Sequence, residues 1–178
     1  MFRLFYPPPL TPFKYPKHAP YIYTEQELKE LFIQIDAWKL ASKSHGNRKL
    51  VDPLLFRMLY GCGLRITEAL NLKASDVNLV EGVLSIRMAK NNKERFVPMV
   101  SSLVERCKTY VKEMHIDNTP DAYFFPGRHE GCYDKSTIYI RFRQYLWKAG
   151  ISHCGNGLSI HHFRYPNKNK IQTFLICC

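Results

Sequence analysis

Apolar residues first recur at helical spacing at Leu28, Leu31, Phe32 and Ile35, which predicts an amphipathic helix whose inner face is core. Its start is marked by Thr24 and Glu27, three apart as in a capping box, with Tyr23 and Leu28 placed as a hydrophobic staple. A second helix is expected to begin near Asp52-Pro53, a cap followed by proline at the first position, and to run through Leu54, Leu55, Met58 and Leu59 until Gly61 and Gly63 stop it. Beyond Arg65, Thr67 is expected to cap a short helix with Glu68 in its first turn and Leu70 and Leu72 inward.

From Val83 to Val100 the period changes to two. Leu84, Ile86 and Met88 alternate with Val83, Ser85 and Arg87, and Phe96, Val97 and Met99 resume beyond the polar tip Lys90-Asn91-Asn92-Lys93, which reads as a β-hairpin. Helical spacing returns with Leu103, Cys107, Val111 and Met114, opened by a second expected capping box at Ser102 and Glu105. Tyr123 to Phe125 is expected to be extended. Ser136 to Lys148 forms a basic amphipathic helix closed by Gly150, with Arg141, Arg143 and Lys148 beside Ile138, Phe142 and Leu146.

The two ends are different in kind. Residues 1–20 hold six of the eleven prolines, which excludes a helix and marks a proline-rich linker. After Ile160-His161-His162-Phe163-Arg164, which starts like a helix, Pro166 interrupts, and Ile171 to Cys178 carries neither cap nor period. The fold class expected is mainly α with a small antiparallel β-hairpin or sheet, one domain over 21–164, followed by an aberrant tail over 165–178. No internal repeat is present.

Composition is ordinary for a globular chain, with 46% apolar and 23% charged residues, so disorder of the whole is excluded. Charge is not ordinary: 26 Lys+Arg against 15 Asp+Glu give a net +11, a field that attracts polyanions, of which nucleic acid is the commonest large one. A basic surface without such a partner is the plainer alternative. The six cysteines form no C-x2-C pair, and the start of the chain lacks the apolar segment of a signal peptide, so reduced thiols and a cytoplasmic location are expected. A zinc site built from His153, Cys154 and His161 or His162 lacks ligand spacing. No apolar run reaches the roughly 20 residues of a membrane span.

Chemistry concentrates in Arg65 and Glu68 after a glycine turn, Lys90 on the hairpin tip, and the pair His161 and Arg164. These are cationic or proton-carrying groups rather than acidic metal ligands. Guanidinium groups bind non-bridging phosphate oxygens bidentately, a histidine moves protons near neutral pH, and a lysine can protonate a leaving alkoxide. Such a set suits a phosphodiester handled without metal.

The run Leu59-Tyr60-Gly61-Cys62-Gly63-Leu64-Arg65-Ile66-Thr67-Glu68-Ala69-Leu70-Asn71-Leu72, with Asp76 beyond it, closely resembles the first arginine motif of the tyrosine recombinase, or phage integrase, family. Ala89-Lys90-Asn91-Asn92-Lys93-Glu94-Arg95-Phe96-Val97-Pro98-Met99 resembles its lysine hairpin, and Ile160-His161-His162-Phe163-Arg164 resembles its His-x-x-Arg motif, in the family's order. The resemblance runs from about residue 7 to Arg164. It implies that Arg65 and Arg164 clamp the scissile phosphate, that Lys90 is the general acid for the 5′-hydroxyl leaving group, that His161 assists proton transfer and that Glu68 supports Arg65. It implies double-stranded DNA as partner, with Arg87, Lys93, Arg95, Arg141 and Arg143 as further DNA-binding cations, and neither metal nor other cofactor. In the family a tyrosine attacks the phosphate, forming a 3′-phosphotyrosyl link, within a tetrameric synapse.

This sequence departs from that pattern. Tyr165 stands where the family carries another histidine, Pro166 follows, and 14 residues after Arg164 leave no room for the two helices, of about 20 residues or more together, that would bring the nucleophilic tyrosine. Tyr165 itself neighbours Arg164, so the two side chains diverge on a helix. The expectation is a recombinase fragment with no nucleophile, binding DNA without cleaving it alone. The alternative is a non-enzymatic DNA-binding module that interferes with or assists a full-length relative, by association with it or with itself. An unrelated RNA-binding or zinc protein is the third reading.

Overall fold

The computed structural model describes residues 23–37, 47–87, 94–116, 120–127 and 131–151. The linker 1–20, the hairpin tip with Lys90 and Lys93, and the segment carrying His153, Cys154, His161, His162, Arg164 and Tyr165 lie outside the described residues. Five helices and a small sheet appear in the order α1 (Glu25–Asp36), α2 (Arg48–Gly61), α3 (Ile66–Leu70), a 3-10 turn (Ala74–Asp76), β1 (Val77–Asn78), β2 (Val83–Ile86), β3 (Arg95–Pro98), α4 (Ser101–Met114) and α5 (Lys135–Lys148). This is the mainly helical class with a small antiparallel sheet that the periodicities predict.

Helix α1 starts as its sequence dictates. The Thr24 hydroxyl accepts from Glu27 N at 3.2 Å and the Glu27 carboxylate accepts from Thr24 N at 2.7 Å. Leu28, Leu31, Phe32 and Ile35 are buried in one cluster with the inner faces of α2, α4 and α5. Each such side chain withdrawn from water contributes on the order of 1.5–3 kcal/mol. Phe56 of α2 stacks on Phe142 of α5 with centroids 5.6 Å apart and meets Tyr145 edge-on at 5.7 Å. The segment 123–125, expected to be extended, forms a single bridge at Tyr123 and then bends; Phe124 N donates to Leu72 O at 2.8 Å and the Tyr110 hydroxyl donates to Phe124 O at 2.9 Å.

The start of α2 differs from the expectation. The helix opens at Arg48, and Pro53 lies inside it. Asp52 does not cap. Its carboxylate is fully buried and accepts from Arg48 Nε at 2.9 Å, Arg141 Nη1 at 2.7 Å and the Tyr145 hydroxyl at 2.7 Å. The extra turn exists because Arg48, one turn before Asp52, answers that charge on the same helix face, although Pro53 cannot donate to Lys49. Arg48 Nη2 also donates to Gln144 at 3.1 Å, so α2 and α5 are bound by a polar network inside the apolar core. Near the other end of α2, Arg57 donates through both Nη atoms to Asp36 at 2.8 and 2.6 Å, fixing the end of α1.

Two further starts depart from expectation. Arg65, not Thr67, is the N-cap of α3. Arg65 is extended, and the Glu68 carboxylate accepts its backbone N–H at 2.8 Å, half of a capping box that needs no hydroxyl. Lys73 N and Asp76 Oδ2 repeat the device at 2.9 Å eight residues later. At α4 the chain leaves the sheet with Met99 N bonded to Gly82 O at 2.7 Å, which puts Val100 at the N-cap and Ser102 within the helix, so no Ser102–Glu105 box forms.

The sheet gains a strand that the sequence concealed. The two residues of β1 are too few to show alternation. They pair antiparallel with β2 (Val77 with Leu84), and β2 pairs with β3 (Leu84 with Val97, Ser85 with Phe96, Ile86 with Arg95). Partners across an antiparallel pair share a side. Phe96 therefore faces out with Ser85 and is 74% exposed, whereas Arg95 shares the side of buried Ile86, toward α3.

Replacing Asp52 with alanine leaves two guanidiniums and a hydroxyl buried without their acceptor, and a loss of about 3–5 kcal/mol is expected in urea denaturation; an unchanged midpoint would contradict the network's role. A second expectation concerns alkaline pH. Burial pushes the Cys107 thiol up to about 12 from its ordinary 9.0. Above pH 9 the unfolded chain therefore sheds a proton that the folded chain keeps, which favours unfolding by about 1.4 kcal/mol per pH unit up to the folded value. Burial likewise raises Tyr110 and Tyr145, steepening the loss above their ordinary 10.0. A melting temperature constant from pH 8 to 11 would contradict this.

Candidate nucleic-acid interface

Arg65 follows the turn that ends α2. Gly63 makes that turn with φ +61°, a left-handed conformation that any other residue adopts at a cost; no neighbour stands within 4 Å of a Cβ there, so conformation alone requires glycine. The turn delivers Arg65 to the start of α3, where Glu68 is one turn away.

Glu68 organises the site. Its side chain is only 2% exposed, yet it carries a carboxylate, and three donors answer it. Arg65 Nη1 reaches Oε1 at 2.8 Å, Arg65 N reaches Oε2 at 2.8 Å, and Arg95 Nη2, from β3, reaches Oε2 at 2.7 Å. The two guanidiniums remain 41% and 42% exposed. Beside them Arg87 Nε lies 2.7 Å from Asp76 Oδ1. That contact is ionic rather than a well-aimed hydrogen bond, since the same buried oxygen has no donor directed at it. A small cleft of about 60 Å³ between α3 and β2 is lined by both carboxylates, Thr67, Ser85 and Arg87.

Of the residues singled out in sequence, Arg65, Glu68 and Arg95 thus meet at one point and Arg87 lies along the same cleft. Arg143 is exposed on α5 and takes no part in the hydrogen bonds to Glu68. Arg141 occupies a different setting: its side chain is 12% exposed, pairs with Asp52 and lies over the Tyr133 ring at 4.8 Å. Lys90, Lys93, His161 and Arg164 lie outside the described residues. Sequence reasoning quoted Asp76 without giving it a role. Its signal is a repeated spacing, since Lys73-Ala-Ser-Asp76 places cation and acid as Arg65-Ile-Thr-Glu68 does.

Candidate nucleophiles near the site are disarmed by burial. Cys62, in the turn before Arg65, has its thiol pushed up to about 12 by desolvation, which keeps it protonated and unreactive. Tyr145 is buried, its hydroxyl committed to Asp52 and its acidity lowered first by desolvation and then by that carboxylate. Among the described residues, no cluster of three or more His, Cys, Asp or Glu is placed to hold a metal, and no helix is long and apolar enough to cross a membrane.

The sequence and the fold both have counterparts among known proteins. Residues 23–166 match the family described as the Phage integrase family. Tyrosine recombinase XerA of Pyrococcus horikoshii is 32% identical over 142 residues, covering 78% of this chain and 45% of that protein. Tyrosine recombinase XerD of Staphylococcus epidermidis is 30% identical over 142 residues, with the same shares. The chain thus spans about half the length of the curated relatives it matches. A crystal structure of XerA recombinase superposes with TM-score 0.60 at 30% identity, over 88% of this chain and 51% of that one. The XerH site-specific recombinase bound to its palindromic difH substrate superposes with TM-score 0.65 at 23% identity, over 81% and 40%, a likeness of fold. The match over most of its length makes this chain a member of the phage integrase family, with the fold of a tyrosine recombinase catalytic domain.

Proposed function

We propose that the chain binds double-stranded DNA through its backbone phosphates, as part of the site with which a tyrosine recombinase cuts and rejoins DNA strands. The observation that carries this is the Glu68 carboxylate holding Arg65 at the protein surface. A guanidinium oriented by a buried acid donates bidentately to a phosphate at little further cost in side-chain freedom. The net charge of +11 supplies the wider field that draws DNA in. Likeness of fold to XerH, whose structures hold difH substrate, agrees with this partner.

In this proposal Arg65 and Arg164 bind the non-bridging oxygens of the scissile phosphate, Lys90 gives a proton to the departing 5′-hydroxyl, and His161 assists proton movement. Glu68 keeps Arg65 in place. Arg95 adds a further DNA-binding cation, and Arg87, Lys93 and Arg143 extend the contact along the backbone. Arg141, proposed from sequence as a further DNA-binding cation, meets Asp52 and Tyr133 in the core, so its substitution reports on stability together with binding. The chemistry draws on no metal or other cofactor. In this proposal the 178 residues alone bind DNA without forming the phosphotyrosyl link, and they act in the cytoplasm.

A second reading shares the binding but not the site: a DNA-binding module that associates with a longer relative, or with itself, through other cations. The exposed Arg143 on α5, which has no contact with Glu68 in the described structure, favours it. Arg65→Gln is expected to weaken duplex binding about ten- to a hundredfold, the worth of a hydrogen bond to a charged group, and to lower the slope of log affinity against log salt by up to about 0.9. Full affinity in Arg65→Gln and Arg164→Gln, with loss in Arg143→Gln, would establish the second reading instead. Nicked suicide DNA incubated with the 178-residue chain is expected to give no covalent adduct on a denaturing gel; an adduct would refute binding without cleavage.

A further inference from the structure

We propose that Arg95 is a further phosphate-binding guanidinium, acting on the same phosphate as Arg65; this deepens the DNA-binding reading above and rests on it. Two observations carry it. The register of β2 with β3 places Arg95 opposite Ile86, on the side of the sheet that faces α3. There it meets the carboxylate that Arg65 already uses, each guanidinium giving one Nη to a different oxygen of Glu68.

Charge and burial then define what completes the cluster. Two cations share one anion, so the cluster keeps an excess of one positive charge. The anion is 2% exposed and lies beneath, while the cations are 41% and 42% exposed and lie above it. Repulsion between the guanidiniums is offset from below by Glu68, and among the described residues no other acid pairs with either of them. A phosphodiester carries one negative charge on two non-bridging oxygens, so it matches both the excess charge and the paired donors. Arg87 is the internal contrast: it has Asp76 as a counter-ion that no other described arginine shares.

The alternative is that Arg95 only anchors β3 to α3. Counting phosphates separates the two. Duplex DNA binding by the 178-residue chain is measured by fluorescence anisotropy over a range of salt for the parent, Arg65→Gln, Arg95→Gln and the double variant, with a thermal melt of each as a folding check. Each neutralised phosphate contributes about 0.9 to the salt slope. If both side chains serve one phosphate, each single variant binds more weakly, and the double variant's slope falls by about 0.9 rather than 1.8. Parental affinity and slope in Arg95→Gln, with loss in Arg65→Gln, would leave Arg95 a strand anchor and overturn the proposal. Slope losses that add to two phosphates would overturn it too. An unaffected Arg65→Gln would sink the parent reading whatever Arg95 does. If Arg95→Gln melts early, Arg95→Lys keeps the charge and the Glu68 pair while losing the fork. Weakened binding with a parental melting temperature supports a ligand role there, and unchanged binding refutes it.

Discussion

A carboxylate removed from water must have its charge answered by the protein, and the fold turns on two that are. Asp52 and Glu68 are each buried, and each recruits an arginine from a distant part of the sequence. Asp52 joins α2 to α5, and Glu68 joins the turn after α2 to β3. Neither pairing is interchangeable, because removing one partner strands the other in a medium that screens charge poorly. The result is a core whose register is set by polar groups, and a surface whose arginines are aimed before any ligand arrives.

What could be read in advance follows from where the information lies. Helices α1 and α5 were legible because local signals agree: the Thr24–Glu27 box, the period of Leu28 to Ile35, and the stop at Gly150. The hairpin was legible from its alternation about a polar tip. The start of α2 was misread because Asp52-Pro53 is a sound local cap signal, overridden by Arg141 and Tyr145 from nearly a hundred residues away. The caps of α3 and α4 failed for a related reason. Thr67 and Ser102 offered hydroxyls, but the backbone on arrival was already committed, by Glu68 in one case and by the sheet in the other.

The candidate site divides in the same way. Arg65 and Glu68 announce themselves by spacing within one motif. Their union with Arg95 depends on strand register, which places β3 against α3 and which no window of sequence displays. Asp76 lay in plain view but without a partner until Arg87 was seen beside it. Arg141 had the composition of a nucleic-acid contact and the surroundings of a core residue. Basic amphipathic pattern alone does not distinguish those two settings, because an arginine on the flank of a helix can turn toward either.

One consequence reaches beyond DNA. The sheet order makes β3 an outer strand, and it displays Phe96 almost fully to water. Among the described residues no strand pairs with its outer edge, and such an edge invites another strand to pair along it. Arg95 at one end places a charge there, and Pro98 at the other removes a donor. The arginine that Glu68 restrains thus also sets a charge on the outer strand of the described sheet, a feature that disfavours edge-to-edge pairing of strands.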